Sequence, residues 1–116
     1  MAQFSIFSGL VLVGYSALEY GDPPMGVAFG QFEPADGYAV IKNECCTNHR
    51  DQSALDLSVQ TEAGVVIPCV GVGILDYSKE LVPPCIEINI LGIPYPLYGE
   101  LFPQHVTMYE RNLARE

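Results

Sequence analysis

Nine prolines and eleven glycines break this 116-residue chain into apolar runs of a few residues each. Proline fixes φ and withholds a backbone donor, and glycine loosens any regular element. A chain punctuated this densely has little room for long helices. What survives between the breaks has the period of strands. In "CIEINIL", Ile86, Ile88 and Ile90 fall on one side and Glu87 and Asn89 on the other, as in a half-buried strand. "MGVAFGQF" puts Gly26, Ala28 and Gly30 on one face, small enough to let a second layer come close. "SGLVLVGYSALEY" and "GVVIPCVGVGILDY" are rich in Val, Ile, Leu and Tyr and read as buried strands. No helical stripe is evident before the tail.

Two passages resemble each other. Val13 to Tyr20 set over Val70 to Tyr77 are identical at four of eight positions, with Glu19 over Asp76 keeping the charge. Pro23-Pro24 then answers Pro83-Pro84, and Gly30–Gly37 matches Gly92–Gly99 at Gly, Pro and Gly. Pro-Pro has no place in a central strand, so each pair predicts a corner. The order of markers suggests a doubling, with halves at 9–41 and 64–103, a connector at 42–63 and a terminal strand and tail at 104–116. The connector either crosses the outside or forms a short helix over 50–57. The tail starts as a strand through His105, Val106 and Met108. The expected architecture is one all-β or mainly β domain, a small closed or partly open barrel or sandwich with at most one or two short helices.

Composition narrows the partners. Apolar residues make up 49% of the chain and charged ones 16%, too apolar for disorder and apolar enough to favour self-association or a partner. Fourteen acids face five bases, a net charge of −9, and no Lys or Arg precedes Lys42. That balance disfavours nucleic acid and anionic membrane surfaces and leaves a basic protein partner open. The amino-terminal apolar run has no preceding positive charge and is too short to span a bilayer. It reads as a strand, and the protein as cytoplasmic. Free thiols are then the expectation for Cys45, Cys46, Cys69 and Cys85, with Cys69 and Cys85 as small core residues.

Three sets of residues are candidates for chemistry or contact. Glu19 and Asp76, as symmetry mates, could approach each other and divide acid and base roles in a hydrolase cleft, or lie apart as solvated strand-end residues. Cys45, Cys46 and His49, with His105 the only other histidine, are weak metal or thiol-chemistry candidates, since adjacent cysteines chelate one ion awkwardly. Tyr95, Tyr98 and Phe102, with Phe32 and Tyr38 in the matching passage, serve either as an interface or as closure of the fold. No phosphate-loop, nucleophile-elbow or zinc-helix motif occurs, and no cofactor is implied. The leading expectation is a small acidic binding domain that is not an enzyme. It would act on another protein or on a second copy of itself, as an inhibitor or immunity-type protein or an assembly component does. A hydrolase using Glu19 and Asp76, and a carrier with a ligand inside a barrel, are the alternatives.

Overall fold

In the computed structural model, which describes residues 3–80 and 85–114, the short runs become eight strands. These are β1 (Phe4–Ser8), β2 (Val11–Ser16), β3 (Tyr20–Asp22), β4 (Val27–Gln31), β5 (Glu33–Pro34), β6 (Leu57–Gln60), β7 (Gly71–Asp76) and β8 (Ile86–Leu91). All pair antiparallel. They make two four-stranded sheets, ordered β5-β2-β1-β6 and β3-β4-β8-β7. The chain is mainly β, and no closed barrel forms among the described residues.

Local chemistry explains the turns. Gly9 takes φ +59°, the conformation a two-residue hairpin turn asks for, and joins Ser8 to its partner Val11. Pro23-Pro24 opens a 3₁₀ turn, Pro23–Met25, that Gly26 ends at φ +66°. The first expected corner is therefore present. The second, at Pro83-Pro84, lies outside the described residues.

The second sheet follows the sequence pattern closely. Ala28 pairs with Ile90 and Gly30 with Ile88, which in turn faces Ile74 across β7. Ala28, Ile74, Ile88 and Ile90 are fully buried and join one cluster with Phe4, Ile6, Val13 and Val59 of the first sheet. Burying each such Ile, Val or Phe side chain contributes roughly 1.5–3 kcal/mol. Each half of the suspected doubling supplies one hairpin to this sheet, β3–β4 and β7–β8, and β4 joins β8 between them. The first sheet shows no such balance. It takes β2 and β5 from the first half, β1 from before it and β6 from the connector.

Two expectations need correction. Three α-helices form rather than one or two: α1 (Lys42–Thr47), α2 (Leu97–Leu101) and α3 (Pro103–Ala114). The tail is helical, not a strand. Phe102, His105 and Val106 turn toward the core at i, i+3 and i+4, a helical spacing that the brief Val106–Met108 alternation conceals. Proline at the first position of α3 suits a helix start. In the connector, α1 precedes the stretch 50–57, which holds only a 3₁₀ turn, Ser53–Leu55. No helix among the described residues is long and apolar enough to cross a membrane.

Between β2 and β3 the chain passes from one sheet to the other. Leu18, fully buried, takes φ +47° there, a conformation uncommon for a residue with a side chain. Its N–H donates to the Ser16 hydroxyl at 3.0 Å, and its carbonyl faces His105 Nε2 at 2.9 Å. A serine that captures a nearby N–H gives the backbone an alternative to the ladder. The run "SGLVLVGYSALEY" is therefore broken after Ser16.

Candidate functional site

The residues singled out in the sequence fall into two buried clusters and one surface cleft. Phe32, Tyr38, Tyr98 and Phe102 are all buried. As contact residues they are corrected: they fill the core, and Tyr95 alone of the five is substantially exposed. Tyr95 donates to the Pro23 carbonyl at 3.0 Å. Phe32 and Tyr38 pack with ring centroids 5.1 Å apart, and Gly14 leaves room for the Phe32 ring.

Tyr38 donates its hydroxyl hydrogen to Asp76 Oδ2. Asp76 Oδ1 accepts the Ser78 N–H at 2.8 Å. Burial pushes the Asp76 carboxyl up, but hydrogen bonds from Ser78, Tyr38 and Cys46 outweigh it and hold the pKa below its ordinary value. Burial and the neighbouring Asp76 push the Tyr38 phenol far up. Burial raises the Cys45 thiol to about 11, the Tyr38 hydrogen bond offsetting part of the shift. The cluster is a satisfied carboxylate ringed by protonated donors. It holds neither a general acid near neutral pH nor a poised thiolate.

At the other end, Tyr98 donates to the Val27 carbonyl at 2.7 Å and lies 3.0 Å from His105 Nδ1. The Leu18 carbonyl can only accept, so His105 Nε2 carries a hydrogen. Burial pushes the His105 pKa down, and backbone hydrogen bonds at Leu18 and Glu19 only partly restore it. The ring is therefore neutral at pH 7 and Nδ1 is an acceptor. It competes with Val27 for the single Tyr98 hydrogen. Phe102 stacks on the imidazole, centroids 4.8 Å apart and planes 1° from parallel.

Glu19 and Asp76 are not brought together. Glu19 precedes β3 and Asp76 ends β7, the two outer strands of one sheet, with β4 and β8 between. Three strand spacings set them about 14 Å apart, too far for the shared cleft that the enzyme reading requires. Asp76 is nearly inaccessible and fully engaged. Glu19 instead lines a surface cleft of about 370 Å³ with Tyr20, Phe29, His105, Met108 and Tyr109. The cleft lies between α3 and the free edge of β3. Glu19 Oε2 sits 3.5 Å from the Gln31 N–H, and Oε1 is buried without a hydrogen-bond partner among the described residues. Sequence reasoning found Glu19 but missed this cleft, because His105 and Met108 were read onto a strand.

The sulfur and imidazole candidates do not converge either. Among the described residues no group of three or more His, Cys, Asp or Glu side chains could hold a metal ion. Cys45 turns into the core, His49 donates its Nε2 hydrogen to the Cys45 carbonyl and meets the Tyr77 ring edge-on, and His105 lies in the other cluster. All four cysteines are free thiols. Cys69 packs against the core, whereas Cys85 is exposed, a correction to its expected burial.

A further groove of about 630 Å³ runs over Gly71 and Gly73 beside Gln52 and carries both signs of charge, in Arg50, Asp51 and Asp56. It lies outside the sheet, not within an enclosed barrel as the carrier reading requires. Compared with known proteins, the chain matches no family model, no curated protein and no solved structure.

Proposed function

We propose that this chain is a small acidic domain that works by binding a basic protein, using the outer half of α3 and the adjoining edge of the second sheet. One observation carries the reading. From Thr107 to Leu113 every side chain of α3 is exposed, and these include Met108, Tyr109 and Leu113. So short a length of helix is marginal in water without tertiary support. Exposed Tyr20 lies beside it across the cleft, extending the apolar area. Such a patch marks a contact surface.

Charge favours a different partner over a second copy. Two chains of net charge −9 repel, whereas a basic partner is steered in and discriminated by the same field. Neutralising a basic target, as an inhibitor or immunity-type protein does, is the concrete form we favour, and we place it in the cytoplasm with its four thiols reduced. The hydrolase reading has less support, because its two carboxylates stand apart. In fold terms we read the two sheets as halves of a sandwich and the neighbouring strands β4 and β8, each following a Pro-Pro pair, as the trace of a doubling.

The experiment is capture of binding proteins with the tagged chain, followed by light scattering of the chain alone and of the mixture. The reading expects a basic protein in a complex that weakens with salt and is lost in Met108→Asp/Tyr109→Asp. A stable homodimer on this face would replace it with self-assembly. Capture that survives both substitutions would overturn it.

A further inference from the structure

We infer that the cleft between α3 and β3 is a site for an organic cation, an alkylammonium or guanidinium group of the kind carried by Lys and Arg side chains. The inference rests on the basic-partner reading for its biological source, but the site is defined by its own chemistry. Glu19 is the one acidic residue among those lining it, and no Lys or Arg does so. Its Oε1 is a buried carboxylate oxygen with no donor among the described residues. A carboxylate oxygen out of water and without a hydrogen bond is destabilising unless a donor or cation reaches it. The Gln31 N–H engages only the other oxygen, at 3.5 Å.

The remaining walls select what that donor should be. Tyr20 and Phe29 pack 5.6 Å apart with planes 31° from parallel, and Tyr109 faces them from α3. Aromatic faces attract a cation through their quadrupoles, more strongly when it is partly desolvated. A strongly hydrated inorganic ion would want several oxygen ligands, and Glu19 is the one carboxylate lining the cleft. A cation on an alkyl stem fits better. Its head meets Glu19 while the stem lies along Met108 and the rings. His105 does not oppose it, since its buried ring is neutral. Gly21 closes the inner wall, where a Cβ would collide with the Tyr98 hydroxyl and the His105 ring.

The test is a titration of the ¹⁵N-labelled full chain with n-butylammonium, n-propylguanidinium and the neutral analogue n-butanol, followed by amide shifts. The expected result is saturable shifts at residues 19–21, 29 and 104–112 with either cation, and at least about tenfold weaker binding to Glu19→Gln. Tyr20→Ala, at an exposed position, should weaken binding about two- to fivefold, and it serves as the readout if Glu19→Gln does not fold. No localised saturable shift, equal response to n-butanol, or undiminished binding by the folded variants would each overturn the inference. Cation binding without any captured protein would leave the site standing and remove the partner reading. Capture undisturbed by Glu19→Gln, together with no localised saturable shift on adding either cation, would do the reverse.

Discussion

The side-chain amide of Gln52 pairs with both backbone groups of Ile74, donating to its carbonyl and accepting from its N–H, each at 2.7 Å. β7 is an edge strand, so a side chain occupies the place a further strand would take. Blocking an edge in this way guards against pairing with another molecule.

Gln52→Leu should therefore lose about 2 kcal/mol or more, since two buried backbone groups are left without partners. Gln52→Glu keeps the acceptor and should fall between. Urea unfolding measures both, and sizing should show some association of the leucine variant through its opened edge. A Gln52→Leu protein as stable as the parent and still monomeric would mean that the clamp has no structural weight.

Asp76 should make stability fall at acid pH. Its folded pKa lies below the ordinary value of 3.8, so its contribution is complete above that value. It is lost as pH falls through the folded pKa, when the native carboxylate finally takes a proton. Asp76→Asn should be less stable than the parent by about 1–3 kcal/mol at pH 7, with the gap narrowing toward pH 3. Tyr38→Phe should show a smaller loss at pH 7. A gap that does not change with pH would contradict the assignment.

His105 acts in the same direction but nearer neutrality. Its folded pKa is below the ordinary 6.5, so the unfolded chain protonates first as pH falls. The stability it contributes is whole above about pH 6.5 and diminishes from there down to the folded pKa. Unfolding curves between pH 7.5 and 5 should show this slope, and His105→Gln should flatten it. An unchanged slope would place the proton uptake elsewhere.

The glycines separate into required and permissive. A Cβ at Gly21 would strike Tyr98 and His105, whereas one at Gly71 would meet nothing within 4 Å. Gly21→Ala should destabilise by about 1–3 kcal/mol through overpacking. Gly71→Ala should be neutral or stabilise by up to about 1 kcal/mol, chiefly by restricting the unfolded chain. Thermal melts of the pair would decide it, and the reverse order would be inconsistent with the packing around β3.

Short-range pattern carried much of the fold. Ile86, Ile88 and Ile90 announced β8 by alternation alone, and Ala28 and Gly30 announced the close face of β4. The corner at Pro23-Pro24 followed from the missing N–H. What stayed hidden depends on residues far apart in the chain. Leu18 breaks a run that looks continuous because Ser16 and the distant His105 hold its backbone. Tyr38 and Tyr98 looked like surface because proline and glycine surround them, yet Asp76 and Val27, each from the opposite half, draw their hydroxyls inside. Glu19 and Asp76 were visible as chemistry, but only the strand order could show that they occupy opposite margins of one sheet.

The step at Leu18 ties the passage between the sheets to α3, 87 residues further along the chain. The amino-terminal strands emerge from a ribosome long before the residue that secures their transfer between layers. Until His105 arrives, the carbonyl at that step has only water to bond. In chain order the strands before Leu18 precede the helix that secures their passage between layers, and α3 is the latch on that step.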